Sequence, residues 1–144
     1  MALAAAQVID AIAARIAALP AYAGKVHTSR AWPLAEGDLP AWRVTAEDEE
    51  AGGAMLGDHT YEHKLQIEAR GYCRAVADLD DAMHAMAVAA LPVIFAAPVP
   101  YALDLVGINR DTAVEGEAAV GVITLRMQAL YYVRPTAPET ILSS

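Results

Sequence analysis

Cysteine is nearly absent from the 144 residues: Cys73 stands alone. One thiol excludes a disulfide framework, and any cysteine-based zinc cluster, built within the chain. Such a chain fits a reducing compartment, or an extracellular particle whose stability does not depend on disulfides. Basic residues are scarce as well, 10 Lys and Arg against 18 Asp and Glu, for a formal net charge of −8. A surface this acidic repels phosphate backbones, which argues against free binding to nucleic acid through a basic face. The stretch Met1–Ala18 lacks a basic leader and carries Gln7, Asp10 and Arg15, so it does not read as a signal peptide. A second stretch, Ala82–Leu103, holds no Asp, Glu, Lys or Arg over a length that raises the membrane question. Pro92, Pro98 and Pro100 break it, His84 sits within it, and alanine supplies much of its apolar content. A helix followed by a buried proline-rich turn is the expected outcome.

What is abundant is alanine, at 33 positions, within a hydrophobic content of 56%. The remaining larger apolar residues suffice for one modest core, and the length suits a single domain. Leu3–Ala18 has helical spacing in Val8, Ile9, Ile12 and Ile16, and Pro20 and Gly24 end it. Trp32-Pro33 and Asp38-Leu39-Pro40 mark a loop. Ala41–Ala46 then alternates as a strand and runs into the acidic loop Glu47-Asp48-Glu49-Glu50.

From Tyr61 onward one face reads Tyr61, His63, Leu65, Ile67 and Ala69; the other reads Glu62, Lys64, Gln66, Glu68 and Arg70. That strict period of two predicts a half-buried strand. Val76–Ala90 switches to helical period, with Val76, Leu79, Met83, Met86 and Ala90 on one side. Leu103–Arg110 is a further strand, Asp111–Glu117 turns the chain, and Ala119–Val133 returns as a long strand. After Pro135 no period remains, which predicts an extended or disordered C-terminal tail over 135–144. The fold class is α+β: a mixed or antiparallel sheet of four to five strands, with two helices packed on one face.

Catalytic constellations are weak. His59-Thr60-Tyr61-Glu62-His63 has the H-x-x-E-H spacing of inverted zinc peptidases, but that chemistry needs a helix. On a strand, positions four apart lie about 13 Å from each other, too far for one zinc ion. The acidic run, with Glu36 and Asp38 upstream, lacks the ligand spacing of a calcium loop. It reads as a solvated charge run or an electrostatic contact. Gly52-Gly53-Ala54-Met55-Leu56-Gly57 lacks the Gly-Lys-Ser/Thr ending of a phosphate loop. Ser29, Ser143 and Ser144 have no histidine–acid pair beside them in sequence, and Cys73 reads as a structural thiol at a strand–helix junction. No catalytic set, cofactor or metal site is expected.

The whole pattern resembles the tail terminator proteins of long-tailed, lambda-type bacteriophages. The features that carry the resemblance are the N-terminal helix, Leu39-Pro40-Ala41-Trp42-Arg43-Val44, and the alternating strand His63-Lys64-Leu65-Gln66-Ile67-Glu68-Ala69. They continue in the helix opened by Asp78-Leu79-Asp80-Asp81, and in Val106-Gly107-Ile108-Asn109-Arg110-Asp111 leading to Tyr131-Tyr132-Val133. Together they span Leu3–Val133. The resemblance implies a non-enzymatic virion protein, assembled in the host cytoplasm. It would form a homo-hexameric ring on the tail tube, stop tube growth and present the head-joining surface. Its partners would be further copies of itself, the tube protein and the connector or neck proteins, with DNA passing through the lumen without specific binding. An acidic chain suits such a lumen, because an attractive wall would hold the phosphate backbone. A neck, head-completion or minor tail protein of the same particle is the alternative, and a small α+β ligand-binding domain or enzyme a further one. A ring needs a heterologous interface. The residues proposed for subunit or tube contact are Arg43, Glu47, Asp48, Glu49, Glu50, Arg110, Asp111, Glu115 and Glu117.

Overall fold

The computed structural model describes residues 3–28, 39–52, 59–75, 78–96, 101–115 and 118–142, with the backbone alone at 75, 113–115 and 118–119. It is a mixed α+β structure in which two helices accompany a six-stranded sheet. Helix α1 (Ala4–Ala17) buries Val8, Ile9, Ile12 and Ile16, the positions whose spacing predicts it. A 3-10 turn at Pro20–Tyr22 and a left-handed Gly24 lead to the short strand β1 (Val26–His27). β1 runs parallel to β2 (Ala41–Gly52), and this single parallel pairing makes the sheet mixed. β3 (Tyr61–Ala75), β4 (Ala102–Glu115) and β5 (Ala118–Arg134) follow, antiparallel to their neighbours, in the order β1-β2-β3-β5-β4.

Period-two alternation settles which sheet face is inside. Leu65, Ile67, Ala69 and Cys73 of β3 are buried, as are Ile123, Leu125, Met127, Ala129 and Tyr131 of β5. Tyr61, expected in the same row, is only partly buried at the strand's start. Helix α2 (Leu79–Ile94) lies over β3 and β5 and buries Met83, Met86, Ala87, Ala90 and Ile94. Two glycines let it come close. A Cβ on Gly71 would lie 2.9 Å from Trp42 Cη2 and 3.1 Å from Met86 Cε, and one on Gly121 2.9 Å from Met83 Sδ. Arg15 of α1 donates to the carbonyls of Ile94, at 2.9 Å, and Ala96, joining the two helix ends. Trp42, wholly buried, meets Tyr22 edge-on with ring centroids 6.0 Å apart.

Several boundaries differ from the sequence expectation. The acidic run is not a loop: β2 continues through it to Gly52, with a bulge between Ala46 and Glu49. β4 reaches Glu115, so Arg110 and Asp111 lie inside a strand rather than at a turn. α2 begins at Leu79 after a left-handed Asp78 and continues past Pro92, whose missing N–H falls in the last turn. Segment 137–142 is a strand, β6 (Ala137–Leu142), pairing with Tyr132 and Arg134 on the β5 edge that β4 leaves uncovered. The loops read at 29–38 and 53–58, Ser143 and Ser144 lie outside the described residues. Among the described residues no helix is long and apolar enough to cross a membrane.

Candidate functional site

A bulge inserts one residue and therefore reverses which residues of a strand face inward. Before the bulge in β2, Trp42, Val44 and Ala46 share the helix-covered face; after it, Glu49 opposite Leu65 and Ala51 opposite His63 do. Glu49 is thereby carried inward. Its Oε1 accepts a hydrogen bond from the Tyr131 hydroxyl and lies 2.9 Å from His63 Nδ1, while the His63 and Tyr131 rings stack 5.3 Å apart. Burial and the adjacent Glu49 carboxylate hold the Tyr131 phenol far above its ordinary value, so it stays a donor well into the alkaline range. With one carboxylate oxygen engaged by both rings, this cluster fastens the end of β2 to β3 and β5. Glu49, expected at a subunit or tube contact, thus ties β2 to its neighbours through Tyr131 and His63 while staying partly open to solvent. His59, with φ +50, lies ahead of β3, and His63 within it. Among the described residues no group of three metal-ligating side chains converges.

The opposite face of the sheet is polar, and its rows can be read across four strands. Arg43, Arg70, Thr124 and Asn109 form one row; Thr45, Glu68, Arg126 and Gly107 the next; Ala41, Tyr72, Val122 and Asp111 a third. A groove of about 380 Å³ lies among Glu68, Arg70, Tyr72, Asn109, Asp111 and Arg126. Arg70 pairs with Glu68, and the Arg43 guanidinium sits 5.9 Å from the centre of the Tyr72 ring. Arg126 lies across the β4 backbone at Gly107, where a Cβ would come within 2.7 Å of its Nη2. Arg126 takes no hydrogen-bond or ion-pair partner among the described residues.

Toward the other end of the same face the charge changes sign. Glu50 faces Lys64, Glu62 accepts a hydrogen bond from Tyr132 at 3.1 Å, and Asp104 stands opposite Gln128. Asp48 is exposed at the bulge, and Glu47 accepts from Thr45 at 3.0 Å.

The remaining sequence candidates separate. Arg110 turns to the helix side and donates from Nε to His84 Nε2 at 2.9 Å, away from Arg43. Asp111 lines the polar groove. Glu115 ends β4, with its side chain outside the description, and Glu117 lies outside the described residues altogether. Sequence reading missed the arginine-bearing sheet face, although the alternation of Glu68, Arg70 and Tyr72 with Ile67, Ala69 and Cys73 already places them together. Arg126 alternates in the same way between Leu125 and Met127. The chain matches no protein-family model, and no curated protein matches it.

Proposed function

We propose that this chain is a structural protein of a long-tailed phage particle, a tail terminator that closes the tail tube as a ring. In that role it stops tube polymerisation and offers the surface to which the head joins. The observation that carries the reading is the open edge of the sheet. β4 is a 14-residue strand with β5 on one side and no strand on the other among the described residues. At its bulge Leu105 and Val106 are 43% and 54% exposed. An uncovered edge strand is a template for pairing; Asp104, Arg110, Asp111 and the bulge blunt parts of this one, and Leu105 and Val106 leave an apolar stretch open between them. An assembly protein covers it with a neighbour. Val88 on α2 and Phe95 just past its end, both exposed, add apolar surface of the same kind.

The order α1, β2, β3, α2, β4, β5 agrees with the element order on which the family resemblance rests. An acidic chain, at −8, supports passage of DNA through the ring without adhesion. The test is negative-stain imaging of tails assembled with and without the protein. Tails of uniform length, capped by a ring and competent to join heads only when it is present, are the expected result. Uniform capped tails in its absence would exclude the role.

A further inference from the structure

The polar sheet face is electrically two-ended. Four of the chain's ten basic residues, Arg43, Arg70, Arg74 and Arg126, share one end of it, against Glu68 and Asp111. The other end carries Glu50, Glu62 and Asp104 against Lys64, with Asp48 exposed beside them. Arg70 and Glu62 are eight residues apart on one strand, a separation of roughly 26 Å. That is more than twice the Debye length of about 8 Å at physiological ionic strength, so the two ends do not neutralise each other within one chain. Arg43 and Arg70 moreover stand directly opposite each other on neighbouring strands. Like charges so placed repel, and Glu68, which pairs with Arg70, offsets part of that repulsion.

We infer that this face is a contact between copies of the chain, in which the Glu50 end of one copy seats on the Arg126 end of the next. The inference deepens the ring reading and rests on it for the partner, a second copy. Charge complementarity selects that occupant. A polyanion such as DNA satisfies the arginine end but is repelled by the acidic end of the same surface. Neighbouring copies satisfy both, one meeting the arginine end and the other the acidic end, as a heterologous contact requires. Arg126 is the central donor, since it is exposed, unpaired among the described residues and laid flat over Gly107. Glu50 is the matching acid, exposed near the end of β2 beside Glu62 and Lys64. Glu49 plays no part, because Tyr131 and His63 hold it on the opposite face.

The experiment is charge exchange in the full chain, read by sedimentation velocity over concentration and salt. Arg126→Glu and Glu50→Arg should each lower the association constant by about tenfold or more and reduce its salt dependence. The double variant, which restores an opposite-charge pair in swapped orientation, should recover association to near the unmodified level. Far-UV circular dichroism and melting temperature confirm that each variant is folded. Unchanged association in both single variants overturns the contact, as does a folded double variant that fails to recover. So does a chain that stays monomeric up to about 1 mM, where even weak contacts populate. Rescue in a species whose mass is only that of a dimer keeps the contact and sinks the ring. A closed ring indifferent to both substitutions keeps the ring and sinks this contact.

Discussion

Tyr131 and Glu49 lie 82 positions apart in the chain, and the tyrosine hydroxyl donates a hydrogen bond to the glutamate carboxylate. The phenol is buried on β5, while the acid arrives from β2 by way of a bulge. A buried hydroxyl without a partner costs about 1–3 kcal/mol, whereas a carboxylate with partial access to water loses less. Glu49→Ala should therefore destabilise more than Tyr131→Phe. A double-mutant cycle by urea denaturation should give a coupling of about 0.5–3 kcal/mol. Additive effects would show that the two groups do not act as a pair.

The same burial sets the alkaline limit of stability. Tyr22, Tyr101 and Tyr131 are all raised above the ordinary phenol value of 10.0, chiefly by desolvation. Below pH 10 both folded and unfolded states keep these protons. Above it the unfolded chain releases them while the folded chain holds on, so the folded state binds more protons and stability falls as pH rises. The buried Cys73 thiol, likewise raised above its ordinary 9.0 chiefly by desolvation, starts the decline first. Melting temperature should therefore begin to fall near pH 9 and fall more steeply above pH 10, and Tyr131→Phe should make the later part of the decline shallower. An unchanged slope in that variant would remove Tyr131 as a cause.

The strands β3 and β5 and helix α1 were legible from local periodicity, since each buries a continuous stripe that its own residues define. The inward turn of Glu49 was not. It depends on a one-residue bulge within an acidic run, and on a tyrosine and a histidine from other strands. Charge at Glu47–Glu50 reads locally as a solvated loop, because nothing in that segment announces the pairing partner supplied by β3. β6 is short, and Pro135 before it and Pro138 within it mask an element that exists only by pairing with the end of β5.

Core packing predicts a clear contrast between the two sheet faces. Leu65 and Leu125 are almost wholly buried, so replacing either by alanine should cost about 2–5 kcal/mol through transfer and cavity terms. Glu68, on the polar face and paired with Arg70, should tolerate alanine to within about 0.5 kcal/mol in the monomer. Equal losses in a denaturant titration would reverse the face assignment.

Gly71 gives a sharper test of helix seating. Its missing Cβ leaves room for the rigid Trp42 ring at 2.9 Å and for Met86 at 3.1 Å, whereas a Cβ on Gly52 meets nothing within 4 Å. Gly71→Ala should cost about 1–3 kcal/mol by overpacking. Gly52→Ala should lie near zero. Gly121→Ala should fall between them, because Met83, unlike an indole, can shift its flexible chain. A melting-temperature series in another order would mean that α2 sits differently over the sheet.

The open edge of β4 supplies the prediction closest to function. Leu105 and Val106 are exposed and make no large contribution to the core, so Lys at both positions should leave monomer stability within about 0.5 kcal/mol. Lysine on an edge strand opposes strand addition, because a pairing neighbour would have to desolvate its ammonium groups. The double variant should therefore fold and melt like the unmodified chain yet fail to cap tubes, giving tails of uncontrolled length. Its effect should be additive with that of Arg126→Glu if the edge and the polar face are separate contacts. Normal tail length and normal head joining with the folded double variant would show that β4 meets no neighbour in the particle.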